Sequence, residues 1–253
     1  MNLSNTRRLA RLFADDGKCL VVAMDHAGFV AKPLRGLEKP EPVIRDVARA
    51  GADAFLLVLG SATQCADALG CTGLWLSVDA EPPFLDHIVE TALRIGADGV
   101  KCLVYPWWDE RPNSIAQFAA LASECRAWGM PLMAEVIPGG FLAGAEMRTP
   151  EKIAAGARVA MEAGADVIKT FYTGDADSFR AVVQYCPAPL IVLGGERAAN
   201  DRELLQGVRG ALDAGAAGVA IGRNIWQHPQ PAKITAALSA LIHRGASVDE
   251  ALA

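Results

Sequence analysis

One short phrase, glycine followed by alanine and aspartate, recurs along this 253-residue chain and limits its fold more than any other feature. Residues 51–53, 96–98 and 164–166 read Gly-Ala-Asp, and residues 215–217 read Gly-Ala-Ala. Each copy follows a helical pattern and precedes an apolar run. Glycine is common just past the end of a helix, and the next two residues then turn the chain into a strand. Four such junctions indicate alternating helices and strands around a parallel sheet.

Other apolar and amphipathic segments complete the alternation. We expect strands at residues 19–24, 55–59, 74–78, 100–104, 131–137, 167–171, 189–193 and 219–221, and helices at 42–50, 62–69, 85–95, 114–128, 150–163, 176–185, 201–214 and 231–243. Eight alternating units in a chain of this length favour an α/β fold, the (β/α)8 TIM barrel, with a doubly wound sheet as the alternative. Because no linker or low-complexity segment interrupts the pattern, we expect residues 1–253 to form a single domain.

Charge and composition exclude several classes of partner. The net charge is −5, and no basic tail or arginine-rich run is present, so we expect no nucleic-acid partner. The longest apolar runs, such as residues 54–59, are far too short to span a bilayer, and residues 1–16 lack the apolar core of a signal peptide. The six cysteines are scattered, as in reduced proteins. We therefore expect a cytoplasmic protein without a membrane partner.

Ionisable residues occur at the ends of apolar strands, where a TIM barrel places its active site. Lys101 and Lys169 each lie five residues after the glycine of their phrase, on the fourth and sixth strands. Alternate strands build one interior layer of such a barrel, so both lysines are expected in one layer. Glu135 lies on the strand between them, and Asp25 ends the first strand. Since neighbouring strands are about 4.8 Å apart, the two lysines and Glu135 are expected within roughly 10 Å of each other.

The strand-end group has a structural and a catalytic interpretation. Taken alone, a lysine at a strand end is usually solvated or paired, and the whole group could be a structural ion-pair network. Its shared register favours catalysis instead. A neutral lysine attacks a carbonyl and forms a Schiff base, a second ammonium lowers the pKa of the first, and a carboxylate moves protons. No cluster has metal-ligand spacing, and this chemistry needs neither a metal nor another cofactor.

Glycine-rich turns end the seventh and eighth strands. Gly194 and Gly195 precede Glu196 and Arg197, and Gly222 precedes Arg223. In TIM barrels these two loops often bind phosphate through backbone N–H groups, and the arginines could add charge-assisted bonds. The alternative is that the glycines only make tight turns.

Other residues receive more modest expectations. His26, next to Asp25, is a candidate substrate-binding residue, although a lone histidine there is more often a turn residue. Tyr172 is a weaker candidate for a substrate contact. Trp75 and Trp128 are expected in the core, Trp226 under the last helix, and His87 and His243 on helix surfaces.

Four segments together resemble a known family. These are Met-Asp-His-Ala-Gly at 24–28, Gly-Ala-Asp-Val-Ile-Lys-Thr at 164–170, the double glycine at 194–195 and Gly-Val-Ala-Ile-Gly-Arg-Asn-Ile-Trp-Gln at 218–227. They resemble the class I aldolases of the archaeal-type fructose-bisphosphate aldolase family, within the group that also holds deoxyribose-phosphate and tagatose-bisphosphate aldolases. The resemblance covers nearly the whole chain and implies a TIM barrel, a sugar-phosphate substrate and a homo-oligomer.

By motif position, the resemblance places the Schiff-base lysine at Lys169, the strand-one aspartate at Asp25 and the phosphate turns at the two glycine-rich segments. One departure concerns the fifth strand, where the fructose-bisphosphate enzymes carry a tyrosine acid/base and residues 134–140 here contain none. Glu135 is instead similar to the strand-five glutamate of tagatose-bisphosphate and sulfosugar-phosphate aldolases. Glu196 and Arg197 replace the usual Pro-Lys after the double glycine.

The sequence thus predicts a metal-independent class I aldolase that acts on a ketose phosphate. Lys169 is the expected nucleophile and Glu135 the proton shuttle, Lys101 tunes Lys169, and Asp25 orients hydroxyl groups or assists protonation. One alternative is a related lysine enzyme that transfers an acyl or ketol unit. Another is a sugar-phosphate-binding barrel that has lost catalysis.

Overall fold

Eight parallel strands close into a barrel in a computed structural model that describes residues 7–28, 30, 32–79 and 87–253. Each strand pairs with its sequence neighbours, and the eighth returns to pair with the first. This closure confirms the predicted TIM barrel and excludes the doubly wound sheet. The strands are β1 (Cys19–Ala23), β2 (Ala54–Leu57), β3 (Gly73–Val78), β4 (Gly99–Val104), β5 (Leu132–Val136), β6 (Val167–Thr170), β7 (Leu190–Leu193) and β8 (Gly218–Ile221).

Helices lie between the strands and cover the outside of the barrel. They are α1 (Leu9–Leu12), α2 (Pro40–Arg49), α3 (Leu59–Gln64), α4 (Ala66–Leu69), α5 (Ile88–Arg94), α6 (Ser114–Ala127), α7 (Pro150–Glu162), α8 (Ala176–Tyr185), α9 (Asp201–Asp213), α10 (Arg223–Trp226), α11 (Pro231–His243) and α12 (Val248–Leu252). Among the described residues, no helix is long and apolar enough to cross a membrane.

The predicted strand and helix between residues 55 and 69 differ from the structure. The strand expected at 55–59 ends at Leu57, and a helix already begins at Leu59. The helix expected at 62–69 is two short helices, because the backbone leaves the helical conformation at Cys65 (φ −103°, ψ 15°). The predicted start of the next helix, Leu85, lies outside the described residues, and α5 begins at Ile88.

The aspartate of each Gly-Ala-Asp phrase fastens one strand to its neighbour at the N-terminal end of the barrel. Asp98 donates its backbone N–H to the Leu74 carbonyl (2.8 Å), and its carboxylate accepts from the Leu74 N–H (3.1 Å). Asp53 makes the same pair of bonds with Leu20, and Asp166 with Leu132. The repeated phrase therefore supplies both the helix-to-strand turn and a side-chain acceptor for an N–H at the start of a strand.

Each of these aspartates also contacts a cation from a distant part of the chain. Arg11 lies 2.5 Å from Asp98, and Arg126 lies 3.7 Å from Asp166. His243, at the end of α11, contacts Asp53 (3.0 Å) and Asp16 (3.1 Å). The prediction of a surface position for His243 is therefore wrong, because a half-buried ion-pair site holds its ring.

The barrel register sets which side chains share a level. Following the paired positions from Val21 once around the barrel returns to β1 at the level of residue 13, a shift of eight residues. Such a shift means that a horizontal layer climbs about one residue per strand. Lys101 pairs with Met133, which pairs with Val167, two residues before Lys169. Over two strands that offset matches the tilt, so the two lysines occupy one interior layer, as predicted.

Apolar side chains fill the barrel beneath that layer. Trp75, Met133 and Val167 are fully buried there, each two residues before an inward-facing polar residue on its own strand. The Trp75 ring occupies the space beside Gly99, where a Cβ atom would overlap it. Because this lower layer is apolar, the lysine layer and its carboxylates lie at the C-terminal end of the barrel interior.

Candidate active site

A single carboxylate joins the two lysines of strands β4 and β6. Oε2 of Glu135 lies 2.8 Å from Nζ of Lys101, and Oε1 lies 2.7 Å from Nζ of Lys169. The strand order explains this arrangement, because β5 lies between β4 and β6 and all three side chains point into the barrel. The convergence expected from the sequence is thus present at hydrogen-bonding distance.

Asp25 extends the cluster to the first strand. Its Oδ2 lies 3.0 Å from Nζ of Lys101 and accepts a hydrogen bond from the Ser77 hydroxyl (2.7 Å). Sequence reasoning missed Ser77. Its signal was a hydroxyl near the end of the otherwise apolar strand β3, two residues after the inward-facing Trp75. The Ser77 hydroxyl therefore holds one carboxylate oxygen of Asp25 in place.

These charges are almost completely removed from water. Lys101 is 1% exposed, Lys169 4%, Asp25 5% and Glu135 8%. Isolated charges at such depth would be strongly unfavourable, but two cations and two anions balance each other here. The cluster is therefore a preorganised, low-dielectric site, in which charge–charge interactions are strong.

The charges determine which groups stay ionised. Burial alone would raise the pKa values of Asp25 and Glu135, but the ammonium groups outweigh burial and hold both pKa values below their ordinary range. Burial alone would lower the pKa of Lys101, but the two neighbouring carboxylates outweigh it and raise that pKa. Lys101 is therefore a persistent cation between two carboxylates at neutral pH.

His26 lies beside the cluster without joining its hydrogen bonds. Its Nδ1 is 3.6 Å from Oδ1 of Asp25, too long for a hydrogen bond, and this buried nitrogen has no hydrogen-bond partner in the described part of the chain. Its ring stands edge-on to Trp226, with centroids 5.5 Å apart. Burial lowers the pKa of His26, although the charge of Asp25 acts in the opposite direction. The imidazole is therefore neutral at physiological pH.

The two glycine-rich strand ends lie side by side. Arg223 donates to the Gly195 carbonyl (2.6 Å), and the backbone N–H groups of Gly195 and Arg223 donate to no acceptor among the described residues. Gly222 must lack a side chain, because a Cβ there would lie 2.6 Å from Cε1 of His26. The predicted turns therefore meet each other and border His26.

Asn224 holds this pair of turns together. Its amide donates to the carbonyls of Gly194 and Glu196 (3.2 Å each), and its side-chain oxygen accepts from the Ala198 N–H (2.8 Å). Arg197 is exposed on the rim of the adjoining cleft, and no bond joins it to the lysine cluster in the described structure. Of the predicted anion-binding residues, Arg197 is thus the one that the structure leaves apart.

Arg148 is a second residue that sequence reasoning missed. It lies between β5 and α7, and its guanidinium carbon is 4.3 Å from the centroid of the Phe171 ring. Phe171 follows Lys169 by two residues and packs against the ends of β4 and β5. The only sequence signal was an arginine in the loop after the strand that carries Glu135.

The aromatic residues expected in the core or at the site occupy three kinds of position. Trp128 is 55% exposed, so the prediction of a core position is wrong: it follows α6 at the surface. The Tyr172 ring packs edge-on against Phe179 of α8, with its hydroxyl close to Gly210 of α9. It therefore points among the outer helices.

Trp75 and Trp226 are both buried, as expected.

The arrangement has the components of amine nucleophilic catalysis. It offers two lysines, a carboxylate in contact with both, a second carboxylate and a neutral imidazole within one cluster. In the part of the chain that the structure describes, no group of three or more His, Cys, Asp or Glu residues is arranged to hold a metal ion.

Comparison with known proteins identifies the family of the chain. The sequence pattern of the DeoC/LacD family aldolases matches residues 19–228, which include all eight strands. A 2-amino-3,7-dideoxy-D-threo-hept-6-ulosonate synthase of Halobacterium salinarum is 38% identical over 98% of this chain and 95% of its own length. A 2-amino-4,5-dihydroxy-6-oxo-7-(phosphonooxy)heptanoate synthase of Streptomyces griseus is 33% identical over 93% of this chain and 89% of its own.

A solved structure agrees with these sequence matches. A Schiff-base-forming fructose-1,6-bisphosphate aldolase superposes with a TM-score of 0.81 at 31% identity, covering 94% of this chain and all of that one. Barrel closure, the charged strand ends and the extent of these matches lead to one conclusion: the chain is an aldolase and belongs to the DeoC/LacD family.

Proposed function

We propose that this enzyme forms or cleaves a carbon–carbon bond in a ketose phosphate, as a metal-independent class I aldolase with its Schiff base on Lys169. The observation that carries the proposal is the shared carboxylate of Glu135, which contacts one lysine with each oxygen. One of these lysines is suited to remain a cation, which leaves the other as the nucleophile.

The choice of Lys169 rests on its surroundings. Lys101 lies three residues before the end of β4 and contacts two carboxylates, and the raised pKa of Lys101 keeps it protonated. Lys169 lies one residue before the end of β6, next to the open end of the barrel. TIM-barrel enzymes carry out their chemistry at that end.

In the proposed reaction, Lys169 passes a proton to Glu135, and the resulting free amine attacks the ketone carbon of a dihydroxyacetone-phosphate unit. The carbinolamine loses its hydroxyl as water, and the imine nitrogen keeps a proton. Loss of a proton from the adjacent hydroxymethyl carbon gives an enamine, which attacks the carbonyl carbon of an aldehyde while the aldehyde oxygen gains a proton. Water then releases the ketose and the amine.

Glu135 is the group that fits the proton transfers. Its Oε1 lies 2.7 Å from the Lys169 nitrogen, within the reach required of a general acid or base. The fifth strand and the turn after it contain no tyrosine at residues 132–140, so the carboxylate takes the place of the acid/base that fructose-bisphosphate aldolases carry there. Asp25, fixed by Ser77, is placed to accept a hydroxyl hydrogen bond from the substrate.

The phosphate of the substrate is assigned to the two glycine turns. Gly195 and Arg223 offer backbone N–H groups, and the Arg223 guanidinium is already oriented by the Gly195 carbonyl. Gly194 and Gly222 carry no side chain that would keep a phosphate away from the backbone. His26, which borders Gly222, would contact the substrate between phosphate and lysine. Arg197 would add only long-range attraction from the rim.

Reductive trapping tests the proposal. The protein is incubated with dihydroxyacetone phosphate and borohydride, and the modified residue is found by peptide mass mapping. We expect an adduct on Lys169, and neither adduct nor turnover in Lys169→Ala. An adduct on Lys101, or a Lys169→Ala variant that still traps and turns over, contradicts the assignment.

The Streptomyces griseus relative suggests a second, narrower candidate. Breaking the C4–C5 bond in the product that gives that enzyme its name yields dihydroxyacetone phosphate and a 2-amino-4-oxobutanoate. The same donor would form the same imine here, so this candidate changes only the aldehyde. Supplying both compounds and looking for a phosphorylated seven-carbon amino acid tests it, with fructose 1,6-bisphosphate cleavage as the alternative result. Cleavage that stalls until a second acceptor is added would favour the transfer reaction instead.

A further inference from the structure

Arg148 is fixed in place by the backbone of its own loop. It donates to the carbonyls of Pro138, Gly140 (2.7 Å) and Met147 (3.4 Å). A guanidinium has five N–H groups, so these three bonds leave donors for a ligand. The stacking on Phe171 adds a cation–π contact. Arg148 is therefore a preorganised donor rather than a flexible surface side chain.

No carboxylate of the described chain lies within ion-pair distance of Arg148. Several other arginines form ion pairs, for example Arg111 with Asp79 (2.9 Å) and Arg158 with Glu162 (2.6 Å). Glu146, the acid nearest in sequence, uses its carboxylate to accept from the Gly144 N–H (3.1 Å). Burial lowers the pKa of Arg148, and only the charge of Glu146, from beyond ion-pair distance, opposes this shift. A partly buried cation without an ion-pair partner favours an anionic ligand.

Arg148 lies beside the two strands that carry the reacting groups. The ring beneath it belongs to Phe171, two residues beyond Lys169, and two of its carbonyl acceptors follow Glu135 in the chain after β5. A second arginine at the open end of the barrel, Arg223, also donates to a backbone carbonyl. It begins α10, after β8. Two strand spacings separate the ends of β5 and β6 from those of β7 and β8, roughly 10 Å.

We infer that Arg148 binds the anionic end of the aldehyde partner, a carboxylate or a phosphate, and so selects aldehydes that carry a charge remote from the carbonyl. The inference rests on the proposed function, in which the ketone donor is held at the opposite side by Arg223. An anion at each end of the new carbon chain would then place the bond being formed between the two arginines, above Lys169 and Glu135.

The test compares matched aldehydes with dihydroxyacetone phosphate as donor. D-glyceraldehyde 3-phosphate is paired with D-glyceraldehyde, and 4-oxobutanoate is paired with butanal. In Arg148→Gln we expect kcat/KM to fall on the order of 10–100-fold for a charged aldehyde, mainly through KM, and to change less than about threefold for its neutral partner. The pair with the larger change identifies phosphate or carboxylate as the preferred anion.

Arg158→Gln is the matched control. Arg158 also stacks on an aromatic ring, Tyr185, and donates to a backbone carbonyl, but on the outer face of α7. This variant should treat all four aldehydes as the wild type does. Arg148→Lys keeps the charge without the fork of donors, so it should retain part of the preference for charged aldehydes.

A purely structural role for Arg148 predicts a different result. Loss of the loop geometry would reduce activity equally with charged and neutral aldehydes, and that outcome, or no change at all, overturns the inference. Borohydride trapping of dihydroxyacetone phosphate should be unchanged in Arg148→Gln. If the wild type traps no imine, the proposed function fails, and this failure is separate from that of the inference. Calorimetric binding of 4-oxobutanoate needs no turnover, so it must still weaken in Arg148→Gln. Equal binding by Arg148→Gln and the wild type overturns the inference.

Discussion

Nζ of Lys169 lies 2.7 Å from Oε1 of Glu135, and this contact carries the proposed proton transfers. Glu135→Gln keeps the shape of the side chain but cannot exchange a proton. We expect kcat to fall about 10²–10⁴-fold in steady-state assays, with a smaller change in KM. Glu162→Gln, which alters only an exposed pair with Arg158, should keep wild-type activity. A Glu135→Gln variant with wild-type kcat would remove the carboxylate from the mechanism.

Lys101 is the counter-ion on which the buried carboxylates depend. Lys101→Met should lower the free energy of unfolding by about 3–5 kcal/mol at pH 8, because Asp25 is left charged with its nearest cation gone. Denaturant unfolding measures this loss. Lys233→Met, at an exposed position of α11, should be neutral.

The pH dependence of that loss has a definite sign. In the wild type, the lowered pKa values of Asp25 and Glu135 contribute stability above about pH 4 that is lost as the pH falls through those folded-state values. In Lys101→Met, Asp25 loses the strongest of the interactions that oppose burial, so its pKa rises and protonation relieves part of the penalty. The difference in the free energy of unfolding between Lys101→Met and the wild type should therefore be smaller at pH 5 than at pH 8. A gap that widens toward pH 5 would contradict this account.

The barrel and the charged cluster could be predicted from the sequence because both follow from short-range patterns. The glycine phrases mark where strands begin, strand parity then directs Lys101, Glu135 and Lys169 inward, and the barrel tilt brings equal offsets on β4 and β6 to one level. None of these steps requires knowledge of a loop conformation.

The features that could not be predicted depend on long-range contacts or loop geometry. Arg148 is informative only once the loop after β5 folds back over Phe171. His243 is half-buried because it meets Asp53, 190 residues away, at the bottom of the barrel. The apolarity of Trp128 favours a core position, but the end of α6 directs its side chain outward.

The aspartates of the repeated phrase should differ in their effect on stability. Asp98→Ala removes the acceptor of the buried Leu74 N–H and the partner of Arg11, so we expect a loss of about 1–3 kcal/mol in urea unfolding. Asp166→Ala should cost less, because the Asp166 side chain is more exposed and its arginine is 3.7 Å away. Asp98→Asn retains an acceptor and should recover part of the loss. Equal losses at the two positions would contradict the expectation that burial and the arginine contact make Asp98 the more important of the two.

His243 should make stability depend on pH near neutrality. Hydrogen bonding to Asp53 and Asp16 raises the pKa of His243 above its unfolded value, so its contribution is complete below about pH 6.5 and is lost as the pH rises through the folded-state pKa. His243→Gln should therefore lower the free energy of unfolding by about 1 kcal/mol at pH 5.5 and by much less at pH 9. His87→Gln is the matched control, because the His87 side chain is 82% exposed. Thermal unfolding of both variants across this range is the measurement, and an effect of His243→Gln that grows from pH 5.5 to pH 9 would show that the ion pair with Asp53 and Asp16 does not stabilise the fold.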